Sequence, residues 1–412
     1  MGFPAFKYLN KPFDFSDMPK VKHTILKWAR ETSHYSLEEA AHKLGFTDSK
    51  VSSAAEKLAA YEDGEKEPSR SLLIRMSKQY HRSLLTFYLD QPPSIGDRGE
   101  DFRTLPVQFK KIENTYVDVL IRDIKSRQST VREALIDADE ENLLDFIGKH
   151  NTSSGIARVV QTIRETLNIS LDAYRSQPSH KEAFRFLRQH AEMAGVFVLL
   201  KGNLGSYHSD IEVTVFRGFA LSDDIAPFII INDRDAEAAW SFTLLHEMAH
   251  LVLGKTGISG AYAEKQIEKF CNDVASEFLL PESELKKFQV TGHEIETLKS
   301  EISEYAFDHK LSSSHIAYRL FRRGDVDKSL WDSLREYYRN SWIEKRNLIK
   351  VKNRQKEGGP SYYTVKHYKL GALVELVQRL TYAGSLTTTK AGMLLDVKPL
   401  KVHRLFESGQ TA

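Results

Sequence analysis

The pentapeptide His246-Glu247-Met248-Ala249-His250 constrains this 412-residue chain more than any other feature. On an α-helix, residues at i and i+4 lie about 40° apart around the axis, so both imidazoles point at one spot. That spacing suits a tetrahedral zinc ion. The intervening Glu247 then sits beside the metal, where it can take a proton from water. The surrounding stretch, 236–253, is apolar on most faces through Trp240, Phe242, Leu244, Leu245, Leu251, Val252 and Leu253. A helix apolar all round is buried. Three ionisable side chains in one buried turn are costly unless something satisfies them, and a divalent cation does so directly. The bland alternative is two His and a Glu hydrogen-bonded on a partly exposed face.

A catalytic zinc needs a third protein ligand and an open fourth position. The next helix, read as 263–280 and stopped by Pro281, offers Glu264, Glu268 and Glu277. Glu268 is favoured because Asn272, one turn later, is placed to hydrogen-bond a ligating His and fix its ring. Glu264 shares that face one turn earlier and is the runner-up. Glu277 lies half a turn around and points elsewhere. Cys271 is a soft donor beside Glu268, but a single buried Cys is more often an inert small hydrophobe. Tyr262, Tyr207 and His208 are candidate oxyanion partners that no spacing rule separates.

Around this helix the hydrophobic period changes along the chain. Residues 20–90 read as four short helices at 23–32, 37–44, 47–61 and 70–88. Ser36 is an N-cap with Glu39 as its capping-box partner. Pro92-Pro93-Ser94-Ile95-Gly96 is the clearest linker. Residues 100–200 read as mainly helical, and 196–200, 211–216 and 228–232 as strands. A strand over 213–221 carries Arg217-Gly218-Phe219, and a peptide adds to such an edge in extended form; the alternative is an ordinary core strand. Helices return after 283, with Leu311-Ser312-Ser313-Ser314 at the start of one and two or three more in 361–412. Residues 385–406 carry a weak helix-turn-helix-like pattern, whose blander reading is a helical appendage. The fold class is α+β, mainly helical.

Composition narrows the setting. The charge balance, 58 Lys+Arg against 56 Asp+Glu, gives no overall pull toward nucleic acid or membrane. One cysteine allows no intrachain disulfide, which fits a reducing cytoplasm. The first residues lack the apolar stretch of a secretory signal, and no apolar run reaches the ~18 residues of a membrane span. The expectation is a cytoplasmic protein with no membrane partner. The oligomeric state stays open, a homodimer included.

With these residues assembled, the chain resembles the ImmA/IrrE family of metallopeptidases. The matching stretches are FRGFALSDDIAPFIIIN (216–232), FTLLHEMAHLVLG (242–254) and IEKFCNDVASEFLLP (267–281). The resemblance implies a gluzincin-like core, a small β-sheet plus active-site helices. Zinc would be held by His246, His250 and Glu268, with Glu247 as general base. It also implies endoproteolysis of a partner protein, typically a helix-turn-helix repressor, in stress response, mobile-element control or a toxin–antitoxin or phage-defence pair. The N-terminus resembles the XRE-type helix-turn-helix often fused to this family, through LKWARETSHYSLEEAAHKLGF (26–46), KLAAYEDGEKEPS (57–69) and LLTFYLDQPP (84–93). It departs from that pattern in an apparent insertion over 48–55. Candidate DNA contacts are Lys50, Ser52, Ser53 and Lys57. The expected organisation is 1–93 helix-turn-helix, 94–190 helical connection, 191–285 peptidase core and 286–412 helical region.

A second reading is non-enzymatic: a DNA-binding regulator or toxin–antitoxin component in which zinc is structural or sensory. The intact Glu247 favours the enzyme, because a structural site needs no base there and closes its fourth position with protein.

Overall fold

The computed structural model describes residues 21–33, 35–49, 51–80, 82, 84–92, 111–206, 209–255, 261–289, 295–355 and 359–408, of which 111–115, 261–265, 349–350 and 353–355 are described as backbone only. The expected linker at 93–96 lies outside them. The chain divides into two compact units, one within 1–96 plus 110–115 and the other made of the remainder.

The first unit holds α1 (His23–Glu31), α2 (Leu37–Lys43), α3 (Ala54–Glu62), α4 (Arg70–Gln79) and a 3₁₀ turn, Leu84–Tyr88. Ser36 and Glu39 form the expected capping box at α2. Ser53 and Glu56 form a second one at α3. Its core is Ile25, Leu26, Ala29, Ala40, Leu58, Leu72, Met76, Tyr80 and Phe87. Two helices are shorter than their periodicity suggests. The helix read from 47 begins at 54, because the Asp48 carboxylate accepts the Ala54 N–H at 2.7 Å and Ser49 closes a turn with Ser52. The helix read as 70–88 stops at Gln79, where Ser33 Oγ donates to the Tyr80 carbonyl and Ser77 Oγ to that of Arg82. Such side-chain bonds offer the backbone an alternative to the helical ladder.

The second unit is built around a three-stranded sheet of order β1-β3-β2, made of β1 (Phe197–Leu200), β2 (Gly218–Leu221) and β3 (Phe228–Ile231). β1 runs parallel to β3 and β2 antiparallel to it, with Gly218 opposite Ile231 and Phe219 opposite Ile230. Both faces of the sheet are buried. Val198, Leu200, Ala220, Ile229 and Ile231 face one core, while Leu199, Phe219, Leu221, Phe228 and Ile230 face the other. A strand covered on both faces reads as a continuous apolar run, as Phe228-Ile-Ile-Ile231 does.

Before the sheet run α5 (Lys111–Asp137), α6 (Ile156–Leu167), α7 (Leu171–Arg175) and α8 (His180–Met193). After it come α9 (Glu237–Val252), α10 (Ala261–Leu279), α11 (Glu282–Leu285), α12 (Ile295–Asp308), α13 (Ser313–Arg323) and α14 (Lys328–Gln355). The tail forms α15 (Tyr362–Leu370), α16 (Ala372–Tyr382), α17 (Thr388–Leu395) and α18 (Val402–Glu407). That is four helices where two or three were expected. Leu373, Val374, Val377, Leu395 and Leu405 of the tail share a core with α5 and the far face of the sheet. The fold is therefore mainly helical with a small mixed sheet, an α+β architecture.

The segment 211–216, read as a strand, is irregular; the second strand starts at Gly218 instead. Its apolar side chains Ile211, Val215 and Phe216 are buried all the same. Fully buried Asn232 makes this conformation tenable, because its Nδ2 donates to the carbonyls of Ile211 and Phe216 at 3.1 and 3.0 Å. No helix among the described residues is long and apolar enough to cross a membrane.

Candidate metal centre

α9 is the scaffold of the site. It packs on β2 and β3 and against α6, α8 and α10. Trp240, Leu244, Leu245, Met248, Ala249, Leu251 and Val252 are all in the core. Burial on every side explains its all-round apolar sequence. Its last carbonyls need partners. Gly148 N–H donates to the Leu251 carbonyl, His150 N–H to that of Val252, and Lys255 N–H to that of His250. The chain leaves α9 through Gly254 at φ +62°, where a Cβ would sit 2.8 Å from the Gly148 Cα. Only glycine suits both the left-handed backbone and that close approach.

This frame brings His246, His250 and Glu268 together, one ligand atom from each lying within 4.8 Å of the others. Their nearest atoms are closer still. His246 Nε2 is 3.1 Å from His250 Nε2, His246 Nε2 is 3.3 Å from Glu268 Oε2, and His250 Nε2 is 3.2 Å from Glu268 Oε1. A tetrahedral ion bonded at about 2.0–2.1 Å holds its ligands about 3.3 Å apart. The two imidazole nitrogens stand at about that separation, each lies as close to one oxygen of the Glu268 carboxylate, and two imidazoles with one carboxylate are the donor chemistry that zinc takes. His246 and Glu247 are fully buried and His250 nearly so, while Glu268 keeps 23% of its side-chain surface. The site is dry on the α9 side and open to solvent at Glu268.

Glu247 faces β2. A Cβ at Gly218 would lie 3.0 Å from Glu247 Oε1, 2.5 Å from Thr243 Cγ2 and 3.0 Å from the Ile230 carbonyl. The edge strand therefore runs directly past the carboxylate, and a side chain at 218 has no room. Residue type alone did not single out Gly218; its function shows only once β2 and α9 are in contact. Arg217, the residue before it, is partly exposed and pairs with Asp235 at 3.5 Å.

Asn272 is half-buried on α10, one turn after Glu268. Glu277 Oε2 accepts the Glu282 N–H at 3.1 Å, away from the centre. Cys271 is buried in the core. Tyr207, His208 and the side chains of Tyr262 and Glu264 lie outside the described residues. His315, not anticipated from sequence, is half-buried on α13, its ring 5.0 Å from that of Phe242. Its Nε2 is 3.2 Å from Ser276 Oγ, which accepts from Arg319 at 2.7 Å.

The candidate DNA contacts are occupied locally. Ser53 caps α3, Ser52 bonds Ser49, and Lys57 Nζ donates to the Thr47 carbonyl at 2.7 Å. Lys50 lies outside the described residues.

Residues 200–321, from the end of β1 into α13, match the model of peptidase family M78, described as the IrrE N-terminal-like domain. No curated protein matches the chain. The stretch that carries the His–His–Glu cluster is thus similar to a metallopeptidase family.

Proposed function

We propose that the chain is a zinc-dependent endopeptidase whose centre is His246, His250 and Glu268, with Glu247 as general base. The observation that carries this reading is the cluster of two imidazole nitrogens 3.1 Å apart, each within 3.3 Å of a Glu268 carboxylate oxygen, with Glu247 on the same turn and facing the edge strand. When bound, the ion supplies Lewis acidity to a peptide carbonyl and to the attacking water. Glu247 takes that water's proton and passes it to the departing amine. Among the described residues β2 pairs with β3 on one side only, so an extended peptide can add to its other side. Such a peptide lies along Gly218 and so beside Glu247.

The substrate we propose is a folded regulatory partner, a helix-turn-helix repressor or antitoxin encoded nearby, as the likeness of 200–321 to the IrrE-type domain suggests. Its cleavage relieves repression in stress response, mobile-element control or a defence pair. The test is to mix the chain with the product of the neighbouring repressor gene, with and without chelator, and to follow the partner by mass spectrometry. Two fragments that disappear with chelator support the reading. An intact partner under both conditions removes this substrate, and cleavage that ignores the chelator removes the metal mechanism.

A further inference from the structure

Residues 385–408 form a helix-turn-helix of their own, distinct from the N-terminal helices. α17 is capped by Thr387, whose side chain accepts the Lys390 N–H. It ends at Asp396, which adopts the left-handed conformation at φ 53°, ψ 48°. Such a residue turns the chain sharply out of a helix. Asp396 is held there by Lys366 Nζ, which bonds both its carbonyl and, at 3.2 Å, its carboxylate. After Val397 and Lys398, Pro399 opens a 3₁₀ turn that runs into α18. The second helix starts close against the first. A Cβ on Gly392 would lie 2.8 Å from the Val397 carbonyl and 3.2 Å from the Pro399 nitrogen, so only glycine lets the turn cross α17 there. Ala391, Leu395, Val402 and Leu405 are buried and lock the two helices together. Two short helices joined by a tight turn with a small residue at the crossing are the helix-turn-helix arrangement.

The turn and the first residues of the second helix expose several cations and one large apolar side chain. Lys398, Leu400, His403 and Arg404 are exposed, Leu400 at 93%, and Lys401 is half-exposed. Lys398, Lys401 and Arg404 stand here against one exposed carboxylate at the end of α18, Glu407, while Asp396 at the turn is paired to Lys366. The stretch 47–66 around α3 in the N-terminal unit has the opposite local charge, with Asp48, Glu56, Glu62, Asp63 and Glu65 against Lys50, Lys57 and Lys66. Phosphate contacts supply most of the affinity of a DNA reader, and base edges are then met by side chains of the helix in the major groove. An exposed apolar side chain such as Leu400 suits a thymine methyl.

We propose that α17–α18 binds double-stranded DNA, with Lys398, Lys401 and Arg404 on phosphates and Leu400 toward the groove. The inference stands apart from the metal centre, and its test involves no peptide cleavage. The full chain is titrated into a labelled DNA duplex of about 25 base pairs and followed by fluorescence anisotropy from about 50 to about 200 mM salt. The wild type binds, and the affinity falls steeply with salt. The triple variant Lys398→Ala/Lys401→Ala/Arg404→Ala binds at least about tenfold more weakly, and its log–log salt slope is shallower by about 0.9 for each phosphate it no longer neutralises. Leu400→Glu, at a side chain already in solvent, also weakens binding, and Lys57→Ala does not. Wild type that fails to bind at low salt overturns the proposal, as does a triple variant that binds like the wild type. Equal affinity for an RNA duplex of the same sequence also overturns it, since the deep, narrow major groove of A-form RNA does not admit a helix.

Discussion

Gly218 of β2 and Glu247 of α9 approach so closely that a methyl group at 218 would stand 3.0 Å from Oε1 and 2.5 Å from Thr243 Cγ2. The edge strand and the Glu247 carboxylate are thus fixed to each other through the absence of a side chain. Gly218→Ala pushes the carboxylate or the strand aside. Misplacement of about 1 Å costs a catalytic group on the order of 100-fold in rate, and overpacking costs about 1–3 kcal/mol of stability. Kinetics and thermal melting of this variant, with zinc content measured alongside, check both. Wild-type turnover in Gly218→Ala contradicts the proximity argument.

Two imidazoles whose Nε2 atoms lie 3.1 Å apart in a buried turn are satisfied together by a cation or a proton between them. A bound ion therefore contributes to folding stability. At free metal about 100-fold above its dissociation constant this contribution is roughly 3 kcal/mol. Chelation then lowers the melting temperature by roughly 5–10 °C. Differential scanning calorimetry reads the change. His246→Ala should melt at one temperature with or without chelator, and a chelator shift of wild-type size in that variant points to a metal bound elsewhere.

In the N-terminal unit, Arg30 Nε and Nη2 donate to the two oxygens of Glu62 at 2.8 and 2.9 Å, and Glu62 is buried. Removing one partner leaves the other charge stranded, at about 3–5 kcal/mol. Glu62→Ala should strip hydrogen-exchange protection from the amides of α1 and α3. Protection equal to wild type counts against the weight given to this pair.

His315 supplies a pH dependence. Burial, reinforced by Arg319, pushes its imidazole down to about 3 from its usual value near 6.5. The Ser276 hydroxyl, which accepts from Arg319, is left to donate to His315 Nε2, so the folded state holds the ring neutral. The folded pKa lies below the unfolded one, so unfolding takes up a proton between them. This contribution is complete above about pH 6.5 and is lost as pH falls toward 3. Urea titrations across that window show stability falling with acid, and His315→Gln flattens the slope. An unchanged slope in the variant assigns the acid sensitivity to other groups.

Much of this fold is legible in local signals. Ser36 with Glu39 marks the start of α2, Gly254 the end of α9, and Ser312 the start of α13, because caps and left-handed turns are chemistry of a few adjacent residues. The spacing of His246, Glu247 and His250 likewise fixes one helical turn. What escaped the sequence depends on distant partners. Alternating apolar residues at 211–216 report burial, but their backbone is satisfied by Asn232 rather than by a neighbouring strand. The start of α3 is set by Asp48, six residues before Ala54. The value of Gly218 lies in a contact across 29 positions with Glu247, which no local pattern encodes. In the tail, the left-handed turn sits on Asp396 rather than on a glycine, so the sequence alone marks this helix-turn-helix weakly.

The most direct measurement of the central claim is cleavage by the Glu247→Gln chain, compared with wild type on the same helix-turn-helix partner with zinc content determined for both. The carboxamide keeps the shape of the side chain and removes its basicity. The account predicts equal zinc in the two chains, two partner fragments with the wild type, and none with Glu247→Gln. Fragments formed by Glu247→Gln at the wild-type rate contradict it.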